Sequence, residues 1–511
     1  MTSIAKPTDT GRDRTTVAPE SAESISTGVD GLDQVLGGGL TPGHMYLVEG
    51  TPGTGKTSFA LNFLMAGARI GQKGLYITLS ETESELRQTA RTHGWSLDGL
   101  EFYELVSSIA MSADVEQTIL HPSEVELGET VGALIEQIGQ VQPDRIVLDS
   151  LSEMRLLAQD PLKYRRQVLA LKSFFSSRDC TVLLIDDKTS DPGDLQLHSL
   201  AHGVITLTQS VQPYGAERRA MRIVKMRGRK YQGGSHDFAI KTGQVVVYPR
   251  LVAADHRSSF DAEPVSSGCE EFDALLGGGL SAGTNTLLVG PSGVGKTTTS
   301  ISLMLTALKR GQRCGYFLFD EGLGTFLRRA QVLDMDLTSY IDSGQLQIFQ
   351  IDPSDLSPGE FANRVVDLVQ HKDVSMIAID SINAYLHSMS GSSHLVLHMH
   401  ELLMYLNQAG VVTILVVGEH GLIGDMRSEI DLSFISDCAI AYRYFEARGE
   451  VRIAVTAVKS RALKNERSIR EFRVVSGKGI EVGAPLRDFV GIFGGVPRYD
   501  GSAPMLDEDD G

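Results

Sequence analysis

The chain has 511 residues, 64 acidic against 47 basic side chains, a net charge of -17 and 42% apolar content. That length exceeds what one hydrophobic core covers, so two domains are expected, and the acidic balance argues against a surface built mainly to bind nucleic acid. Four widely spaced cysteines, Cys180, Cys269, Cys314 and Cys438, exclude a disulfide scaffold and any zinc site of recognisable spacing, which fits a reducing cytoplasm.

Residues 1–23 are polar and carry no hydrophobic signal core, so they read as a flexible arm. No apolar run anywhere approaches the roughly 18 to 20 residues that span a bilayer. The first domain is expected over 24–248. It opens with ISTGVDGLDQVLGGGL (25–40), an apolar strand (45–48) and the loop Gly50-Thr51-Pro52-Gly53-Thr54-Gly55-Lys56-Thr57. This loop fits GxxxxGK[ST] between a strand and a helix, the context in which glycines let backbone N–H groups face phosphates and the helix N-terminus adds positive potential. Lys56 would reach the β- and γ-phosphates of ATP, and Thr57 would offer its hydroxyl to Mg2+.

Aliphatic runs at 75–79, 145–148 and 181–185 alternate with amphipathic segments, the pattern of a parallel sheet covered on both faces. Asp149 ends the run RIVLD before Ser150 and is the expected magnesium-side carboxylate. Glu81, in LSETESEL, stands just beyond the strand after the loop helix and is the candidate for orienting the attacking water.

Residues 249–263 lack periodicity and read as a linker. The second domain, expected over 264–484, repeats the first. VSSGCEEFDALLGGGL (265–280) restores the Gly triplet, and a strand leads into Gly290-Pro291-Ser292-Gly293-Val294-Gly295-Lys296-Thr297. Lys296 and Thr297 take the same expected roles. Further aliphatic runs fall at 316–319, 375–379 and 412–417; Asp380 ends MIAID before Ser381 as the second metal-side carboxylate, and Glu321 stands in FDEGLGTF. So long a period means duplication of a whole domain, and the expected fold class is α/β: two tandem phosphate-loop domains, each a mainly parallel sheet flanked by helices. Residues 485–511 read as a tail ending in acidic residues.

With these pieces in place the chain resembles the KaiC family of circadian-clock ATPases over about residues 24 to 495. The paired entry motifs and phosphate loops carry the resemblance, together with the segments ARTHGWSLD (90–98), IVKMRGRKY (223–231) and IREFRVVSGKGIEV (469–482). The resemblance implies that the two are RecA-like NTPase domains, forming a homo-hexameric double ring with ATP between subunits. A neighbour's basic residues then meet the γ-phosphate, here Lys225 and Arg227 in KMRG, and Lys459 and Arg461 in KSRA. It also implies Mg-ATP hydrolysis, Ser/Thr autokinase activity, and partners that are KaiB-like or other signalling proteins, while the acidic charge and the lack of a long apolar run argue against nucleic-acid and membrane partners. Two competing readings are a DNA-dependent ATPase of the RecA or RadA type and a scaffold held together by ATP with little turnover.

Departures from the family bear on activity. The family's pair of glutamates after the second strand is Ser80-Glu81 here in the first half and Asp320-Glu321 in the second. Serine cannot act as an anionic base, so Glu81 would serve alone; Asp320 could serve, but sits about one methylene short of glutamate's reach. Aligned on YFEARGE (444–450), Ser433 falls on the family's serine phosphoacceptor and Phe434 on its threonine. Phenylalanine has no hydroxyl, which leaves Ser433, with Ser436 as the alternative acceptor.

Overall fold

The computed structural model describes residues 23–105, 122–158, 160–188, 196–212, 215–256, 260, 264–352, 354–388, 395–419, 436–461, 466–494 and 497–501. The chain divides into two compact units, one holding most of the first nine-stranded sheet and the other the whole of the second.

The first sheet comprises β1 (Met45–Gly50), β2 (Gly74–Thr78), β3 (Leu100–Glu104), β4 (Arg145–Asp149), β5 (Thr181–Asp187), β6 (Gly203–Ser210), β7 (Arg218–Met226), β8 (His236–Lys241) and β9 (Gln244–Tyr248). Its order is β3-β2-β4-β5-β1-β6-β7-β8-β9, and the pairs from β3 through β6 run parallel. β1 is thus the strand from which the chain order diverges to either side, and such a switch point is where open α/β sheets bind ligands, beyond the carboxyl ends of the strands.

The second unit begins with a short pair, β10 (Pro264–Val265) and β11 (Leu280–Ser281). Its main sheet comprises β12 (Asn285–Gly290), β13 (Arg313–Leu318), β14 (Leu346–Gln350), β15 (Val374–Asp380), β16 (Val412–Gly418), β17 (Cys438–Ala447), β18 (Glu450–Ser460), β19 (Arg470–Val475) and β20 (Gly479–Pro485). The order β14-β13-β15-β16-β12-β17-β18-β19-β20 repeats the first sheet strand for strand. The strand runs read from the sequence fall on β2, β4, β5, β13, β15 and β16, and the α/β class is as expected.

Period-2 alternation places side chains on both faces of each sheet. In the second, Leu287, Phe317, Ile377, Ile379 and Leu415 belong to one core, while Leu288, Tyr316, Leu318, Met376 and Ile414 belong to the core opposite. Burial on both faces is what removes the polar alternation from these strands. Leu251 and Ala253 also pack into the second unit's core, and beyond Pro485, Leu486, Phe489, Ile492 and Phe493 pack with Phe445. Among the described residues no helix is long and apolar enough to cross a membrane, and all four cysteines are free thiols.

One buried charge ties the first unit together. Arg145, 1% exposed at the start of β4, donates from Nη1 to the carbonyls of Ser26 and Phe63 at 2.8 Å each and from Nε to Gln72 Oε1 at 2.7 Å. Its guanidinium also lies over the Phe63 ring, 4.8 Å from the centroid. Gly67 provides the room, since a Cβ there would stand 2.6 Å from Arg145 Cδ. Arg145→Met is expected to destabilise the first unit by about 3 kcal/mol, because it takes the guanidinium donor from the carbonyls of Ser26 and Phe63. Calorimetry of the full chain would show an unfolding transition moved down by several degrees; an unmoved transition would refute this account.

Candidate functional site

Each phosphate loop leaves the carboxyl end of the central strand and enters a helix, Lys56–Arg69 or Lys296–Lys309. The turn into the helix needs glycine: Gly55 has φ 99° and Gly295 φ 90°, in the left-handed region. At the start of the first loop, a Cβ on Gly50 would meet Leu207 O and Thr54 Oγ1 at 2.7 Å.

The lysines fold back into these loops. Lys56 Nζ donates to the carbonyls of Gly50 and Thr51 at 3.0 Å each; Lys296 Nζ donates to those of Gly290 and Pro291 at 2.7 Å each. Burial pushes the Lys296 ammonium down to about 8, opposed by the charges of Asp380 and Glu419. Lys56 additionally forms an ion pair with Asp187 at 2.7 Å.

The strand-end carboxylates stand beside the loops. Thr297 Oγ1 donates to Asp380 Oδ2 at 2.7 Å, and Tyr316 OH donates to the same oxygen at 2.9 Å. In the first unit Asp149 accepts from Tyr76 OH, and the Thr57 hydroxyl also bonds to it. Burial raises the pKa of both carboxyls, and these hydroxyl donors oppose the rise. A buried carboxylate beside a threonine hydroxyl is a hard-oxygen pair, the donor chemistry suited to magnesium.

The candidates for handling water differ between the units. Glu81 is anchored through its backbone, its N–H donating to Thr78 Oγ1 at 3.0 Å and its carbonyl accepting from the same hydroxyl at 2.6 Å. Desolvation raises its carboxyl pKa, and Asp149 adds to the rise. Ser80 beside it is exposed. In the second unit Asp320 accepts from Ser381 Oγ, and Glu321 is held by Arg329 at 2.5 Å.

The K-x-R residues lie at the other end of each sheet. Arg227 N–H donates to His202 O, and His202 N–H to Met45 O, at the start of β1; Arg461 N–H donates to Asp437 O, and Asp437 N–H to Asn285 O, at the start of β12. Each central strand has six residues, which at ~3.3 Å per residue separates these motifs from their own loops by about 17 Å. Lys225 Nζ donates to the carbonyls of His198 and Ala201, and Arg227 Nη2 to that of Ser199. Lys459 Nζ donates to Ser436 O, and Arg461 pairs with Asp437 at 3.8 Å. Ser433 and Phe434 lie outside the described residues; Ser436 is fully buried.

Several residues of the sites escape a reading of the sequence. Tyr76 and Tyr316 occupy matched places in GLYITLSE and CGYFLFDE, a signal that aligning the repeats would have exposed. Glu49, buried one residue before the first loop, accepts from Thr206 Oγ1 at 2.7 Å, contacts His198 Nε2 at 2.8 Å and lies 3.6 Å from Lys188 Nζ. Its neighbour across the register is Asp186, whereas the matching positions of the second sheet are Val289 and Val417. No local motif distinguishes these positions.

A phosphate loop at the switch point of a parallel sheet, with a threonine and a strand-end aspartate beside its lysine, defines a nucleotide-binding ATPase of RecA-like architecture, here present twice. The KaiC ATPase family model matches residues 25–252 and 265–487. The chain is 26% identical over 486 residues to the circadian clock protein KaiC3 of Synechocystis sp., covering 94% of this chain and 95% of that protein. It is 26% identical over 484 residues to the circadian clock oscillator protein KaiC of Parathermosynechococcus lividus, covering 92% and 87% respectively. The corresponding protein of Synechococcus elongatus is 25% identical over 492 residues, at 94% and 92% coverage. The chain belongs to the KaiC ATPase family.

Proposed function

We propose that both units bind Mg-ATP, that the chain hydrolyses it, and that it does so as a homo-oligomeric ring with nucleotide between subunits. The observation that carries this reading is the doubled constellation: a lysine folded onto its loop carbonyls, a threonine hydroxyl, and a buried aspartate within reach of it. The loop N–H groups of 50–57 and 290–297 would cradle the phosphates, with Lys56 and Lys296 on the β- and γ-phosphates. Thr57 with Asp149, and Thr297 with Asp380, would hold magnesium, which when bound offsets the negative charge of the phosphates. Glu81 in the first unit, and Asp320 or Glu321 in the second, would orient the attacking water.

Lys225, Arg227, Lys459 and Arg461 are assigned to a neighbouring copy's nucleotide. Their position about 17 Å from their own loops supports this, since no rotamer of lysine or arginine spans that distance. Six copies and KaiB-like or other signalling partners follow from the family resemblance, and a cytoplasmic location from the four free cysteines. Ser433 is the proposed site of autophosphorylation.

A second reading, ATP held structurally with little turnover, is favoured for the second unit by one feature: both candidate bases there are already engaged, Asp320 by Ser381 and Glu321 by Arg329. One experiment addresses these readings together. Purified protein with magnesium and γ-labelled ATP is expected to elute as a larger species than without nucleotide, to release labelled phosphate, and to carry label that Ser433→Ala abolishes. Absence of both assembly and released phosphate would refute the main reading, and label unchanged in Ser433→Ala would remove that serine as acceptor.

A further inference from the structure

We propose that Asp187 is an anionic latch on the first phosphate loop: it competes with phosphate for Lys56, must yield that lysine to the nucleotide, and thereby lowers the first site's affinity for ATP. The inference rests on the reading that both loops bind ATP.

Asp187 is the last residue of β5, directly across the parallel register from Gly50, where the phosphate loop begins. Its Oδ1 is 2.7 Å from Lys56 Nζ. Lys56 is 7% exposed, so its ammonium is removed from water and held by one carboxylate and two carbonyls. Such a pair is costly to break when nothing takes the partner's place. Asp187 itself is 31% exposed, so its side chain can turn to solvent once phosphates replace it. Its backbone stays fixed, because its N–H donates to Ser152 Oγ at 2.9 Å.

The second unit lacks this arrangement by one residue. There Gly290 stands across from Gly418, which carries no side chain; Lys296 bonds to the carbonyls of Gly290 and Pro291, and Asp380 and Glu419, one residue beyond Gly418, act on it through their charge. A carboxylate at the first position also faces the incoming triphosphate with its own negative charge. It stands near Asp149 and Glu81, whose carboxyl pKa values it helps to raise. Two unit charges a few ångströms apart in a partly buried site interact strongly enough to change an affinity by about tenfold or more.

The test uses the full chain in two backgrounds. With Lys296→Ala silencing the second loop, Mg-ATP binding by calorimetry reports the first; Asp187→Asn and Asp187→Ala are each expected to bind Mg-ATP at least about tenfold more tightly than this parent. With Lys56→Ala silencing the first loop, Gly418→Asp is expected to weaken the second site by a similar factor. The new side chain has room, since a Cβ at Gly418 meets nothing within 4 Å. Structural damage does not tighten binding, so a gain in affinity separates the latch from a merely structural role. Unchanged or weaker binding in both Asp187 variants overturns the latch, as does intact affinity with lost turnover, which would make Asp187 part of the water-handling machinery. A Lys296→Ala parent that binds no Mg-ATP would overturn the first site's assignment and the latch with it, whereas a binding parent with unresponsive Asp187 variants overturns the latch alone.

Discussion

A chain carrying Lys56→Ala together with Lys296→Ala is expected to release phosphate from ATP at least about a hundredfold more slowly than the wild type, because each substitution removes the cation that meets the transferring phosphoryl group. Both ammonium groups are already aimed into their loops, held on the first two carbonyls of each; Lys296 can meet phosphate with little rearrangement, whereas Lys56 must first be yielded by Asp187. The single variants divide the activity between the units. If the engaged state of Asp320 and Glu321 keeps the second site slow, Lys56→Ala alone removes most turnover and Lys296→Ala removes little. Circular dichroism and thermal unfolding check that the chain still folds. Turnover within threefold of wild type in the folded double variant would defeat the assignment of both loops as the hydrolytic sites.

The second large effect is expected from Arg227→Ala. An arginine that neutralises charge developing on the γ-phosphate is worth orders of magnitude in rate, so a loss of about a hundredfold in first-site turnover is expected, with a much smaller change in ATP affinity. Arg227 lies beside the start of β1 and the loop at its end, so in the proposed ring the arginine would act on a neighbouring copy. This gives a sharper measurement than the single variant. In a Lys296→Ala background, chains with Arg227→Ala keep an intact first loop, and chains with Lys56→Ala keep an intact arginine. Each alone is inactive at the first site. Mixed and reassembled with Mg-ATP, they form some interfaces that pair an intact loop with an intact arginine, and part of the activity returns. An arginine acting within its own chain would yield no recovery in any mixture.

These two experiments also mark how far the sequence reaches. The lysines belong to a contiguous eight-residue pattern whose spacing is dictated by a backbone curling around phosphate, so they are legible without any structure. The strand-end aspartates are nearly as legible, because a carboxylate that closes a continuous apolar run has few alternatives to facing the mouth of the sheet. The K-x-R pairs could be found as repeated motifs. Their distance from their own loops could not, because it depends on β7 and β18 returning along the sheet to the starts of β6 and β17.

The sequence by itself determined the duplication, the α/β class, both loops, and the threonine and aspartate beside each, since every one of these is a local pattern or the recurrence of one. Only the tertiary structure decided what surrounds them. It set Asp187 against Lys56 across 131 residues of chain, gave Asp149 and Asp380 their tyrosine donors, engaged Glu321 with Arg329, and placed Glu49 and Asp186 where the second sheet has Val289 and Val417. The physical reason is register. In a parallel sheet every neighbour is reached through a crossover, so which two side chains meet at the carboxyl edge is fixed by how separate strands align, and no stretch of sequence contains that information.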